Sequence, residues 1–156
     1  MKRKRKYRNV YIYDPANCAK AFLIQPLKEI YKCFVNAASG TFAWLGIESA
    51  EVVLLDDFRR KAPLIPWCEF LQVLGDTVHF PTSKYQMSKD IVLEKDAPVF
   101  ATSDAPLVLF NNGSIDRANT DMMNVRSQMF KVYEQIPRDI NPCGHCFAEL
   151  LLGERF

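Results

Sequence analysis

The sequence predicts one three-layer α/β domain built on a mostly parallel five-stranded sheet. Apolar runs alternate along the chain with segments of helical pattern, which is typical of a parallel sheet covered by helices. One run, Val52–Leu55, is apolar at four consecutive positions, as expected for a strand buried on both faces. The length of 156 residues is that of about one domain. We expect a basic tail over residues 1–9, the core over 10–136 and a C-terminal tail with a short helix over 137–156.

The individual elements follow from local patterns along the chain. Strands are predicted where β-branched, aromatic or apolar residues cluster, at Val10–Tyr13, 42–45, Val52–Leu55 and 99–102. Helices are predicted at 19–34, where Pro26 either kinks the helix or starts a second segment, and at 66–74, 118–129 and 147–152. Between residues 78 and 94 the chain alternates around polar tips, which predicts a projecting β-hairpin.

Composition and charge exclude several classes of protein. The sequence shows no apolar stretch of membrane-spanning length, so we expect no membrane partner, and the polar and aromatic residues after the basic start lead us to expect no secretory signal. Five cysteines without framework spacing are typical of free thiols in a reducing, intracellular compartment. The opening MKRKRKYR carries six of the twenty basic residues. This segment indicates a nuclear localisation signal, a nucleic-acid-binding arm or simply a solvated terminus.

The most informative pair of candidate site residues is Asp56 and Asp57. They follow the strand Val52–Leu55, which places two carboxylates at the carboxyl edge of a buried strand, where open α/β sheets bind ligands. One carboxylate can hold the water shell of Mg²⁺ while the next polarises an attacking water. The plainer interpretation is two acids solvated at a strand end.

A second candidate segment is DPANCAKA, residues 14–21, which lies between a strand and a helix. A phosphate-binding P-loop has this location, with Gly at its first and sixth positions, Lys at the seventh and Ser or Thr at the eighth. Only the lysine is retained here, as Lys20. A third segment, PVFATSDAP over residues 98–106, ends a predicted strand in Thr, Ser and Asp.

Taken in order, DPANCAKA, VVLLDDF, VLGDTVHFPTSKYQMSK and PVFATSDAP resemble the motifs of superfamily 3 DNA helicases. These include parvovirus nonstructural proteins, the papillomavirus replicative helicase and the Rep proteins of circular single-stranded DNA viruses. The resemblance covers roughly residues 10–133. It implies a P-loop NTPase core of the AAA+ kind that uses ATP and Mg²⁺ to move on single-stranded DNA during replication.

The resemblance also implies a role for each matching residue of the nucleotide site. Lys20 would contact the β- and γ-phosphates. Asp56 would hold Mg²⁺ through water, and Asp57 would orient the hydrolytic water. Asp104 stands at the place of an asparagine that senses the γ-phosphate.

DNA binding and assembly are implied in the same way. Lys84 lies where the family's pore hairpin carries a DNA-tracking lysine, with His79 and Lys89 beside it. The resemblance implies a homo-oligomeric ring, a hexamer, or association with an intact helicase subunit. Arg126 is then the candidate finger that reaches a neighbouring subunit's nucleotide, and Arg117 is its competitor.

Four departures from the family pattern predict impaired hydrolysis. Asp14 and Ala19 replace the glycines that let a P-loop backbone approach phosphate, and Asp14 adds a negative charge. Ala21 lacks the hydroxyl that binds Mg²⁺. Asp104 would repel the phosphate that an asparagine amide would bind.

Two other functions stay open. The damaged loop is also typical of a non-hydrolysing, ATPase-like scaffold that binds DNA or protein. The motif CGHC, residues 143–146, has the form of a disulfide isomerase site, although only ten residues follow it and a turn before a terminal helix is the favoured interpretation.

Overall fold

The computed structural model describes most of the α/β core. The described residues are 8–14, 20–35, 44, 46–58, 67–75, 78–80, 91–93, 97–111, 113–133, 143 and 145, with backbone alone at 78–80 and 91–93. The helices are α1 (Lys20–Ile24), α2 (Leu27–Ile30), α3 (Trp67–Val73) and α4 (Arg117–Arg126), and a short 3₁₀ turn spans Ile47–Ser49. The strands are β1 (Val10–Tyr13), β2 (Cys33–Val35), β3 (Val52–Leu55), β4 (Val78–Phe80), β5 (Ile91–Leu93), β6 (Val99–Ser103), β7 (Phe110–Asn111), β8 (Ser114–Ile115) and β9 (Gln128–Lys131).

Five strands form one parallel sheet in the order β2-β3-β6-β1-β9. The register pairs Val10 with Phe100 on one side and with Gln128 on the other, and it pairs Val53 with Val99. The predicted parallel sheet of five strands is therefore confirmed. The predicted strands β1, β3 and β6 all lie in this sheet and run parallel, and the structure places them next to one another.

The helices cover both faces of this sheet because its connections run in two directions. From β1 the chain crosses three strand positions to β2, whereas every later step in the sheet moves the opposite way. Right-handed crossovers then place the first connection on one face and the later ones on the other. The packing agrees: the first face buries Ile24 and Leu27 against Leu54, and the second buries Phe70 and Met123 in the other cluster.

Strand β3 shows why the sheet holds together. All four of its side chains are buried, and they alternate between the two apolar clusters. A strand covered on both faces needs apolar residues at consecutive positions, which Val52–Leu55 supplies. Each fully buried Val or Leu contributes about 1.5–3 kcal/mol of transfer free energy.

One buried asparagine, Asn9, links two helices and a neighbouring strand at the amino edge of the sheet. Its side-chain amide donates to the carbonyls of Leu74 (3.1 Å) and Arg126 (2.9 Å), which end α3 and α4. Its side-chain oxygen accepts from the backbone N–H of Val99 at 3.1 Å, where β6 begins. Asn9 thus satisfies the orphan groups of two helix ends and one strand start.

The side chain of Asp116 caps the N-terminus of helix α4. The Asp116 carboxylate accepts from the backbone N–H of Asn119 at 3.1 Å and from its side-chain amide at 2.8 Å. These hydrogen bonds favour the ionised form, so they lower the pKa of Asp116. The helix ends at Arg126 because Ser127 has extended backbone angles.

Two predicted helices are shorter than the sequence pattern indicated. The helix predicted over 19–34 is wrong over residues 31–34, where β2 begins at Cys33, and its helical part is divided into α1 and α2 with Pro26 just before α2. Pro26 does start a second segment, because it has no backbone N–H to continue α1. The helix predicted over 118–129 ends early, and β9 takes its last residues.

The other predicted elements have mixed outcomes. The helix predicted at 66–74 is confirmed as α3. The antiparallel pair β4–β5 agrees with the predicted hairpin, whose polar tips lie outside the described residues. Of the strand predicted at 42–45, the described residue Trp44 lies in a turn, and its neighbours lie outside the described residues. The helix predicted at 147–152 also lies outside them. Within the part of the chain that is described, no helix has the length and apolar character to cross a membrane.

Candidate nucleotide site

Polar side chains gather where three adjacent parallel strands end. Strands β3, β6 and β1 are neighbours in the sheet, and each is followed by at least one acid. The connections that leave β1 and β6 run in opposite directions, which makes the gap between their carboxyl ends the topological switch point of the sheet. Ligands of open α/β sheets bind in the crevice at such a point.

The end of β1 brings Asp14 and Lys20 together. Asp14 is buried, and its backbone N–H donates to the carbonyl of Ser103 at 3.2 Å, which extends the pairing of β1 with β6. Its carbonyl oxygen accepts from Lys20 Nζ at 2.6 Å, although Lys20 is the first residue of α1. The lysine ammonium is therefore held at the switch point by the first residue of the loop.

The end of β3 carries the acid pair, and Thr102 of β6 holds it. Thr102 Oγ1 donates to Asp56 Oδ1 at 2.9 Å and accepts from the backbone N–H of Asp57 at 2.9 Å. Asp56 Oδ2 also lies 4.0 Å from Lys28 Nζ on α2. Asp57 is exposed, and its φ of +49° is left-handed, a conformation that aspartate tolerates better than most residues.

The end of β6 is tied to the segment after β3 by two further hydrogen bonds. The backbone N–H of Phe58 donates to the Thr102 carbonyl at 2.7 Å, and Ser103 Oγ donates to the Phe58 carbonyl at 3.0 Å. Asp104 follows as an exposed residue. The acid pair and the third acid thus project from two strand ends that are hydrogen-bonded to each other.

A buried phenol lies beneath this edge. The Tyr11 hydroxyl donates to the carbonyl of Ala105 at 3.1 Å. Burial raises the pKa of Tyr11, a hydrogen bond with Ser103 lowers it, and the charge of Asp104 raises it again. The phenol therefore stays neutral at physiological pH and supports the turn that carries Asp104.

The residues expected to contact DNA are only partly described. His79 lies in β4, where its backbone pairs with Val92 of β5. Lys84 and Lys89 lie outside the described residues, as does Ala19 of the loop. Ala21 lies in α1.

The two candidate arginines lie at opposite ends of α4. Arg126 is its last residue, next to the start of β9 at the amino edge, and its Nη1 donates to the Leu71 carbonyl at 2.6 Å. It is therefore at the other end of the sheet from Asp56 and Asp57 of its own chain. Arg117 is the first residue of α4 and is exposed. Because α4 runs back from the carboxyl side of the sheet, Arg117 lies nearer the strand-end acids.

The CGHC motif is described at two positions. Cys143 is an exposed free thiol, and His145 is also exposed. Gly144 and Cys146 lie outside the described residues, so the distance between the two thiols is not described.

Sequence reasoning missed Thr102 and Lys28 as parts of the edge. Thr102 could have been predicted from the sequence, since it is a polar residue near the end of an apolar strand, just before Ser103 and Asp104. Lys28 had none, because it occupies an ordinary helical position and reaches Asp56 only through the packing of α2.

The donor set at this edge fits a hydrated hard cation better than a bare polyphosphate. The described residues at this edge include the four acids Asp14, Asp56, Asp57 and Asp104 and the two lysines Lys20 and Lys28. Mg²⁺ keeps most of its waters and uses one or two carboxylates with substrate phosphates, which Asp56 and Asp57 can provide. No cluster of three or more His, Cys, Asp or Glu side chains in the described ranges forms a complete protein cage for a metal.

Comparison with known proteins adds no family to these observations. No protein-family model matches the chain, and no curated protein matches it in sequence.

Proposed function

We propose that this domain binds ATP at the carboxyl edge of its sheet, as the core of a superfamily 3 DNA helicase does, and that it hydrolyses ATP weakly. One observation carries the proposal. The three motifs that resemble the family's P-loop, Walker B strand and motif C end adjacent parallel strands at one edge. All strands of a parallel sheet end at the same edge, so the supporting part of this observation is that the three strands are direct neighbours.

Each described residue has a chemical role in this proposal. Lys20 offers a positive charge to the phosphates at the switch point. Asp56 holds waters of Mg²⁺, and the exposed carboxylate of Asp57 accepts a hydrogen bond from the attacking water. Mg²⁺, when bound, neutralises phosphate charge. Asp104 faces the same edge from β6.

Weak hydrolysis follows from the charge and the missing ligand. Asp56, Asp57 and Asp104 are carboxylates that follow the ends of β3 and β6, so they repel a triphosphate unless a cation accompanies it. Ala21 has no hydroxyl to bind Mg²⁺. Asp14 is buried where the family carries glycine, yet its φ is not left-handed, since Asp57 is the described non-glycine residue with positive φ. The cost of Asp14 therefore comes from its carboxylate rather than from its backbone.

The non-hydrolysing scaffold is the second candidate, and one observation favours it. Both oxygens of Asp56 already have a partner in the same chain: Oδ1 accepts a hydrogen bond from Thr102, and Oδ2 forms a weak ion pair with Lys28 at 4.0 Å. A carboxylate satisfied in this way is stable without a metal ion. Such a domain would bind DNA or an intact helicase subunit in the same manner with and without nucleotide.

Calorimetric titration of ATP with and without Mg²⁺ tests the proposal. We expect binding that requires Mg²⁺, that is lost in Lys20→Ala and that is unchanged in Lys32→Ala, a matched exposed lysine at the amino edge. ATP turnover should be weak and should rise when Asp14→Gly, Ala19→Gly and Ala21→Thr are combined. Absence of ATP binding with unchanged DNA binding would favour the scaffold, and rapid turnover by the unaltered chain would contradict our interpretation of the loop.

Assembly and DNA binding belong to the same proposal. A ring of identical subunits would bring an arginine of one subunit to the nucleotide of its neighbour. Arg117 is the better candidate for that contact because it is exposed, whereas Arg126 is hydrogen-bonded within its own chain. Light scattering with ATP and single-stranded DNA measures the assembly. Arg117→Ala should lower turnover in the assembly without changing ATP affinity, and Arg126→Ala serves as the comparison.

A further inference from the structure

One buried hydroxyl connects the two acids of the candidate site. Thr102 is almost fully buried near the end of β6, and its Oγ1 has two partners at 2.9 Å: it donates to Asp56 Oδ1 and accepts from the N–H of Asp57. Its backbone carbonyl also accepts from the N–H of Phe58 at 2.7 Å. Three consecutive residues after β3 are therefore tied to Thr102.

The hydrogen bond between Asp57 and Thr102 matters because Asp57 has an unusual backbone conformation. Its φ of +49° is left-handed, and such a conformation persists only where neighbouring groups hold it. The hydrogen bond from its N–H to Thr102 is on the inner side of the turn, while its side chain is exposed. The direction of the exposed carboxylate therefore depends on the backbone that Thr102 fixes.

We propose that Thr102 is the positioning residue of the acid pair. Its hydroxyl orients the Asp56 carboxylate towards the cation's waters and fixes the left-handed turn that presents Asp57. The inference rests on the proposed nucleotide site, since that site gives the orientation of the two acids its function. Thr102 itself touches neither phosphate nor cation.

The hydroxyl, rather than the shape of the side chain, carries this role. Valine has nearly the same volume and branching and suits a strand equally well, so Thr102→Val removes the two hydrogen bonds and leaves the packing. Thr102→Ser restores the hydroxyl without the methyl group. Thr120→Val is a matched control: the Thr120 hydroxyl accepts from the N–H of Leu109 at 3.1 Å and donates to the Asp116 carbonyl at 2.7 Å, in α4.

Titration of ATP with Mn²⁺, which reports bound metal by its paramagnetism, tests the role in the full chain. We expect Thr102→Val to weaken Mn²⁺-dependent ATP binding roughly tenfold, the scale of lost outer-shell hydrogen bonds at metal sites. Thr102→Ser should stay near the wild-type affinity. Thr120→Val should lower the melting temperature but leave the affinity unchanged. In amide exchange, the N–H of Asp57 should lose protection in Thr102→Val alone.

The outcomes separate this inference from the function on which it rests. Wild-type affinity in Thr102→Val, or equal losses in Thr102→Val and Thr120→Val, would overturn the positioning role and leave the nucleotide site standing. If the wild-type chain binds neither ATP nor Mn²⁺, the proposed function fails, and the inference fails with it.

Discussion

Replacement of Asn9 by alanine should destabilise the whole domain, because Asn9 joins four elements at the amino edge. Its side chain makes three hydrogen bonds to backbone groups, at 3.1 Å to the Leu74 carbonyl, 2.9 Å to the Arg126 carbonyl and 3.1 Å from the Val99 N–H. Asn9 is 4% exposed, so water does not replace it freely. Asn9→Ala therefore leaves three backbone groups without their partner at once.

The size of the loss can be worked from these three bonds. A buried group left unsatisfied costs about 1–3 kcal/mol. We take the lower value for each because the cavity left by the truncated side chain admits some water. The expected loss in the free energy of unfolding is then about 3 kcal/mol, against the roughly 5–15 kcal/mol of a typical domain.

Urea denaturation followed by circular dichroism and tryptophan fluorescence measures this loss. Asn111→Ala is the matched control, because Asn111 is exposed in β7 and such surface changes stay within about 0.5 kcal/mol. A loss below about 1 kcal/mol for Asn9→Ala, at an unchanged denaturant slope, would refute the reasoning. It would mean that water or neighbouring groups satisfy the two helix ends as well as Asn9 does.

Three further predictions concern the edge, the cap and the hairpin. Lys28→Met should strengthen Mg²⁺ binding by a few-fold in calorimetry, because the ammonium of Lys28 competes with the cation for Asp56. The effect is small because the side chains of Lys28 and Asp56 are 38% and 29% exposed, which keeps their ion pair weak. An unchanged Mg²⁺ affinity would contradict this competition. Asp116→Ala should lower the melting temperature at neutral pH, and the difference should close as pH falls through the lowered pKa of this carboxyl; a difference independent of pH would contradict the charged cap. In a chain without the lysines and arginines of the basic tail, Lys84→Ala with Lys89→Ala should flatten the salt dependence of single-strand binding, by roughly 0.7 log units per decade for each lost contact. An unchanged slope would remove the hairpin from DNA binding.

The sequence predicted the interior of the sheet and missed its two edges. Strand β3 is buried at every position, and burial on both faces requires the run of apolar residues that made it recognisable. The edge strands β2 and β9 are less buried: β2 is a short run of three residues, two of them half-buried, and β9 is exposed at three of its four positions. Each also follows a helix directly, and the helical pattern was extended over it. Their strand pairing is supplied by a neighbour that is distant in sequence, which local patterns do not contain.

The candidate site was predictable at the level of its acids and less so at the level of their supports. Asp56 and Asp57 follow directly from a strand that ends in two acids. The hydroxyl of Thr102 and the ammonium of Lys28 act through contacts between elements, which depend on strand order and helix packing. Asn9 was missed for the same reason, since its three partners lie at residues 74, 99 and 126.

The position of β1 has a consequence for how the chain acquires its structure. Synthesis delivers β1 first, yet its two partners β6 and β9 come from the second half of the chain, with Val10 opposite Phe100 and Gln128. Such pairings of high contact order slow folding, because a long loop must close before they form. Until then, β1 is an early apolar strand with both of its edges unpaired, which is the kind of segment that aggregates or recruits chaperones. A ribosome stalled before residue 99 would therefore hold a nascent chain whose first strand has no partner.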